Sequence, residues 1–120
     1  MYLFQSRPWG AMMASVVDWP AEVVKAAAQK LETPVGAILW LPVIEYPCLV
    51  GRVYLDRSGR FADGRLIRTS EVMALIEEGG RTIARTFSGS HYLLVPGGGN
   101  AFAGLQHLPR ISAFSAGGVH

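Results

Sequence analysis

Five arginines, Arg52, Arg57, Arg60, Arg65 and Arg68, fall within seventeen residues of this chain, with only Asp56 and Asp63 among them as acids. A guanidinium is a planar, permanently charged fork that fits phosphates, carboxylates and the faces of nucleobases. Tyr54 is interleaved with the cluster. Arg81 and Arg85, on either side of Ile83, face one side of a further strand. Trp9, in a Pro-Trp-Gly segment, is suited to anchoring a partner. These nine residues form the candidate binding set. Three uses fit them: a solvated strand face with local Asp partners, contact with an acidic protein surface, or single-stranded nucleic acid stacked on aromatic platforms.

The other residues that could do chemistry are poorly spaced for it. His91, His107 and His120 have no helical ligand spacing, and no HExxH occurs. Cys48 is the one cysteine, so it forms no internal disulfide and no multi-cysteine zinc site. It reads as a small hydrophobe on a strand. Gly97, Gly98 and Gly99 lack the Lys-Ser/Thr of a phosphate loop, and Ser88-Gly89-Ser90 lacks the Gly-x-Ser-x-Gly elbow. Glu77 and Glu78 adjoin a turn and read as solvated. The expectation is a protein that is no enzyme and takes no metal or cofactor.

The bulk composition bounds the rest. At 120 residues, 50% hydrophobic and 17% charged, the chain suits one core in a single domain, residues 1–120. A net charge of +2 is neither a footprint for duplex DNA nor the acidic surface of a DNA mimic. No stretch reaches the roughly 18 apolar residues of a membrane span. Residues 1–17 lack the pattern of a signal peptide and read as a loosely held leader. One cysteine fits a reducing compartment, so the expected location is the cytoplasm. Either a monomer or a homodimer through a sheet edge is compatible with the pattern.

The elements that must position these residues are mostly strands. Residues 18–32 read as helix: Asp18 as N-cap, Pro20 early, then 21–31 with Val24, Ala27, Ala28 and Leu31 as an apolar stripe. Trp19 would staple that helix to a sheet. Residues 37–95 read as a β-rich core. The run 37–44 is apolar on both faces, and Pro42 places a strand end near Leu41 or makes the strand an edge. From Cys48 apolar and polar residues alternate. Turns are marked at 56–59, 63–64, 79–80 and 88–90 by Gly, Asp and Ser. The segment 66–76 reads as one strand in preference to a helix capped by Ser70. Four strands and a helix predict an α+β fold, an N-terminal helix docked on a small antiparallel meander or barrel-like sheet. Residues 96–120 form a Gly-rich tail whose 111–114 could pack on a sheet edge.

One stretch also carries a resemblance. Gly59-Arg60-Phe61-Ala62-Asp63-Gly64, then Ile67-Arg68-Thr69-Ser70, and then Thr86 and Gly89-Ser90-His91-Tyr92 follow a GRF-x-DG-x-x-I-x-TS core with a later Thr and Gly-Ser-x-Tyr hairpin. The pattern, over about 50–94, resembles small uncharacterised proteins encoded by bacteriophages and prophages of proteobacteria. That resemblance implies a non-enzymatic inhibitor that binds a host protein, such as an anti-CRISPR acting on a CRISPR–Cas component. It carries no site residues of its own. The alternative is a nucleic-acid-binding accessory protein using the Arg-rich hairpins.

Overall fold

The computed structural model describes residues 19–97 and 108–112. The expected leader, the Asp18 cap, Trp9, His107, His120 and most of the tail lie outside the described residues. One short helix and a mixed, unclosed sheet make the fold roughly α+β, mostly β.

Helix α1 spans Ala21–Ala28. Proline at position 20 opens it, its carbonyl accepting from the amides of Val23 and Val24 at 3.0 and 3.2 Å. The buried face is Val23 and Ala26, one residue round from the expected stripe; Val24 is only half-buried and Ala28 exposed. The helix is also three residues shorter than expected. Tertiary bonds take over where the next helical turn would form. Gln29 is extended, and its side-chain amide donates to the Gly79 carbonyl at 2.8 Å. The amides of Glu32 and Thr33 both donate to the Glu78 carboxylate.

Six strands follow: β1 (Ala37–Glu45), β2 (Cys48–Tyr54), β3 (Arg65–Arg68), β4 (Val72–Glu78), β5 (Arg81–Thr86) and β6 (His91–Val95). A three-residue β7 (Arg110–Ser112) adds to one side, giving the order β3-β2-β1-β6-β5-β4-β7. The sheet is therefore two three-stranded antiparallel meanders fused through a parallel pair. Ala37 to Trp40 of β1 lie beside Tyr92 to Val95 of β6, so a single meander is not what forms. Segment 66–76 is two strands and not one. Ile67 and Val72 are both buried in the same cluster yet an odd number of residues apart, so strict alternation must break between them. It breaks just after Thr69, at Ser70 and Glu71: Thr69 is still inward and still bonded to β2, its hydroxyl accepting from the Leu49 amide at 3.0 Å and its own amide donating to the Leu49 carbonyl at 2.8 Å.

Proline 42 does not end β1, and although β1 lies inside the sheet order it is locally an edge at Pro42. Leu41 takes φ 52°, the pairing with β2 slips between Trp40 and Val43, and the strand runs on to Glu45. The parallel partner stops opposite Trp40, so at Pro42 the strand has a neighbour on one side only and the missing donor breaks no ladder there.

Strongly rolled geometry follows from one bond. The Val72 amide at the start of β4 donates to the Pro47 carbonyl, just before β2, at 2.8 Å. In a flat sheet β2 and β4 would stand four strand spacings apart, about 19 Å. The sheet must curl to bring them together, but β3 and β4 form no ladder and the roll stays open. Leu39, Leu49, Val53, Leu75 and Leu94 fill the inner side. Ile38, Ile83, Leu93 and Val95 face the other way and pack with Val23 and Ala26 of α1. Trp19 staples this helix as expected, its ring 5.2 Å from that of Tyr54. No helix among the described residues is long and apolar enough to cross a membrane.

Candidate functional site

The candidate arginines divide among three places. Arg52 and Arg68 stand on the outer face of β2 and β3. The pairing register puts Trp40, Arg52 and Leu66 side by side across three strands, with Val43, Val50 and Arg68 as the next row. Arg52 donates to the Gly64 carbonyl at 3.0 Å, and Arg68 forms an ion pair with Glu45. Apolar side chains between them are open to solvent: Leu66 is 56% exposed and Val43 58%. Beyond them β3 faces no further strand among the described residues, whereas β4 on the other side of the sheet is paired with the short β7. Such an edge is a template for another chain.

Arg57 and Arg60 belong to the 55–64 loop, and Arg65 opens β3 next to it, opposite Val53. Asp56 holds its first turn, accepting from the Ser58 amide and hydroxyl and from the Phe61 amide at 3.1, 2.8 and 3.0 Å. Asp63 returns to β2, accepting from the Leu55 amide at 2.8 Å. Phe61, half-buried against the inner cluster, lies under the Arg60 and Arg65 guanidinium groups at 4.9 and 5.9 Å. Arg81 and Arg85 are on β5, away from both groups. Arg81 donates to Gln29 at 2.9 Å, and Arg85 lies exposed opposite His91.

Tyr54 is no surface platform. It is 8% exposed and its ring is enclosed by Trp19 and Trp40, the latter 6.5 Å away. Glu78 is not simply solvated either. The Glu32 amide first, and then the Thr33 hydroxyl and amide, hold its carboxyl below the usual carboxylate range against the opposing effect of partial burial. Cys48 is half-buried on β2. Among the described residues no three His, Cys, Asp or Glu side chains group to hold a metal ion.

The apolar half of the β1–β3 face, Val43 and Leu66, was absent from the expected binding set. A signal for it existed: once Ile67 is inward, alternation turns Leu66 outward between two arginines. Set against known proteins, the chain matches no protein-family model, no curated protein and no solved structure.

Proposed function

We propose that this chain is a non-enzymatic binding protein that takes an extended, acidic segment of a partner protein along the β3 edge and the outer face beside it. The observation that carries the reading is the β3 edge, open among the described residues, next to exposed Leu66 and Val43 and flanked by Arg52 and Arg68, while β4 on the other side is paired with β7. Strand addition gives affinity through main-chain bonds and specificity through alternate side chains. The arginines favour acidic neighbours and speed encounter. The resemblance to phage-encoded proteins directs the choice of partner to a host-defence component, such as a CRISPR–Cas subunit, met in the bacterial cytoplasm.

The test uses a proteobacterial host whose CRISPR–Cas system targets an infecting phage. Wild-type protein is expected to restore plaque formation and to co-purify with one Cas subunit. The double variant Leu66→Asp, Arg52→Glu is expected to lose both effects while melting as the wild type does. Unchanged plaque counts with the wild-type protein, or full protection by the double variant, overturn the reading.

A second reading rests on Phe61 between Arg60 and Arg65, an arrangement suited to stacking a base. It requires salt-sensitive binding to single strands that disappears in the Arg52, Arg60 and Arg68 triple alanine variant. With about three phosphate contacts the log–log salt slope would be near −2.

A further inference from the structure

The loop at 34–37 separates two cavities that meet along it. One, of about 200 Å³, lies under α1 and is walled by Ala26, Ala27, Leu31, Leu55 and Leu93. The other, of about 340 Å³, opens between the 56–60 turn and the start of β6. Both are lined by Pro34, Val35, Ala37 and Arg57. The first exists because alanines face it from the helix, where a larger side chain would fill the space. It is a half-open cleft in which Gln29, Thr33 and Arg57 stand beside the aliphatic wall. The second is basic. Arg57, Arg60 and His91 line it with the hydroxyls of Ser58 and Ser90.

Asp56 also lines the second cavity, so one of these positive charges is offset. Its two oxygens are occupied by the amides of Ser58 and Phe61 and the Ser58 hydroxyl, which leaves the turn and not the arginines as its hydrogen-bond partner. Arg60 donates to Ser58 at a long 3.4 Å. The Arg57 guanidinium makes no hydrogen bond or ion pair among the described residues. Its backbone, by contrast, is fixed: the Arg57 amide donates to the Gly36 carbonyl at 2.8 Å, and the Gly36 amide to the His91 carbonyl at 2.9 Å. A cation with no side-chain partner among the described residues is thus held by its main chain where the aliphatic wall under α1 meets the basic end of the furrow.

We propose that this furrow binds a small amphipathic anion, with an aromatic or short aliphatic body under α1 and a carboxylate or phosphate end at Arg57, aided by Arg60 and His91. A planar guanidinium suits either head group, and an apolar wall beside it strengthens the charge-assisted bond by excluding water. The site is independent of the partner-binding reading, because no residue of β3 lines the furrow.

The test is an amide chemical-shift titration of the whole chain with 3-phenylpropanoate and phenyl phosphate. The neutral 3-phenylpropan-1-ol and the bodiless acetate serve as comparisons at matched ionic strength. At least one aryl anion is expected to give saturable shifts at Gly36, Arg57 and His91, and the preferred anion identifies the head group. The alcohol and acetate are expected to bind about tenfold more weakly, the scale of one lost charge-assisted bond. Arg57→Ala should erase the preference for acid over alcohol, and Ala27→Leu should weaken every aryl ligand. Arg57 is exposed, so its variant keeps the fold and the test stands even if Ala27→Leu fails to fold. Absence of saturable shifts with both aryl anions, or equal binding by Arg57→Ala, overturns the proposal.

Discussion

Single side chains decide more here than their exposure suggests. Glu78 sits at the end of β4, yet it receives the two amides and the hydroxyl that the truncated helix leaves behind at Glu32 and Thr33. Its folded pKa is lowered, chiefly by the Glu32 amide, from an unfolded value of about 4.3. A lowered folded pKa stabilises the protein fully above the unfolded value. That stabilisation is lost as pH falls through the folded one. Glu78→Gln is therefore expected to lower stability near pH 7 by about 1 kcal/mol or less, solvent screening being substantial at this site. The gap between variant and wild type in urea midpoint should narrow as pH falls from neutrality through the lowered folded value. A gap that does not change with pH would disprove the linkage. Tyr54 makes the opposite point. Its place in an Arg-rich stretch suggests a surface ring, but Trp19 and Trp40 enclose it. Tyr54→Ala should remove about 3 kcal/mol or more, as large-to-small changes of buried aromatics do. Tyr54→Phe should remove much less. A loss below about 1 kcal/mol for the alanine variant would return Tyr54 to the surface.

At the scale of elements, what could be read from the sequence is what neighbouring residues dictate. The turns at 56–59, 63–64, 79–80 and 88–90 are where Gly, Asp and Ser placed them, because backbone angles at a turn are a local demand. Gly79 and Gly80 have φ of 59° and 76°, the double left-handed pair of a tight hairpin joining β4 to β5. A Cβ at Gly80 would meet nothing within 4 Å, so substitution there isolates the backbone term. Gly80→Ala is expected to cost about 1–2 kcal/mol in chemical denaturation, and Gly80→Asn distinctly less. Equal losses would mean that something other than the left-handed angle is responsible. Non-local choices were not legible. Nothing near Ala37 signals that its parallel neighbour is Tyr92. The helix end was set by Gln29 and Glu78, partners from distant segments. The candidate site divides in the same way. Arginine positions were plain in the sequence, but their separation onto β2–β3, the 55–64 loop and β5 depends on the roll of the sheet. Read as one strand, 66–76 hides the exposure of Leu66, because the alternation of 65–69 and that of 72–78 are out of phase.

For the whole molecule, the question is whether the inner and outer clusters melt separately. They are built from the same strands. Leu39 belongs to the inner cluster and Ile38, its neighbour, to the outer; Leu94 and Leu93 divide likewise on the parallel partner. Removing α1 would uncover Ile38 and Leu93, but melting the inner cluster requires β1 and β6 to part, and this takes the outer cluster with it. One cooperative transition is the consequence. Leu39 is fully buried and Ile38 nearly so. Leu39→Ala and Ile38→Ala are each expected to lower stability by about 2–5 kcal/mol, in a single transition followed equally by far-UV circular dichroism and tryptophan fluorescence. Fluorescence weighs the outer side, where Trp19 and Trp40 pack, while circular dichroism reads the sheet as a whole. If the fluorescence transition of Ile38→Ala moved ahead of the dichroism transition, α1 and its cluster would be a separate unit. In that case a ligand seated under α1 would stabilise the helix without stabilising the β3 edge. With one transition, a ligand at Arg57 must raise the stability of both together, by mass action on the only folded state there is.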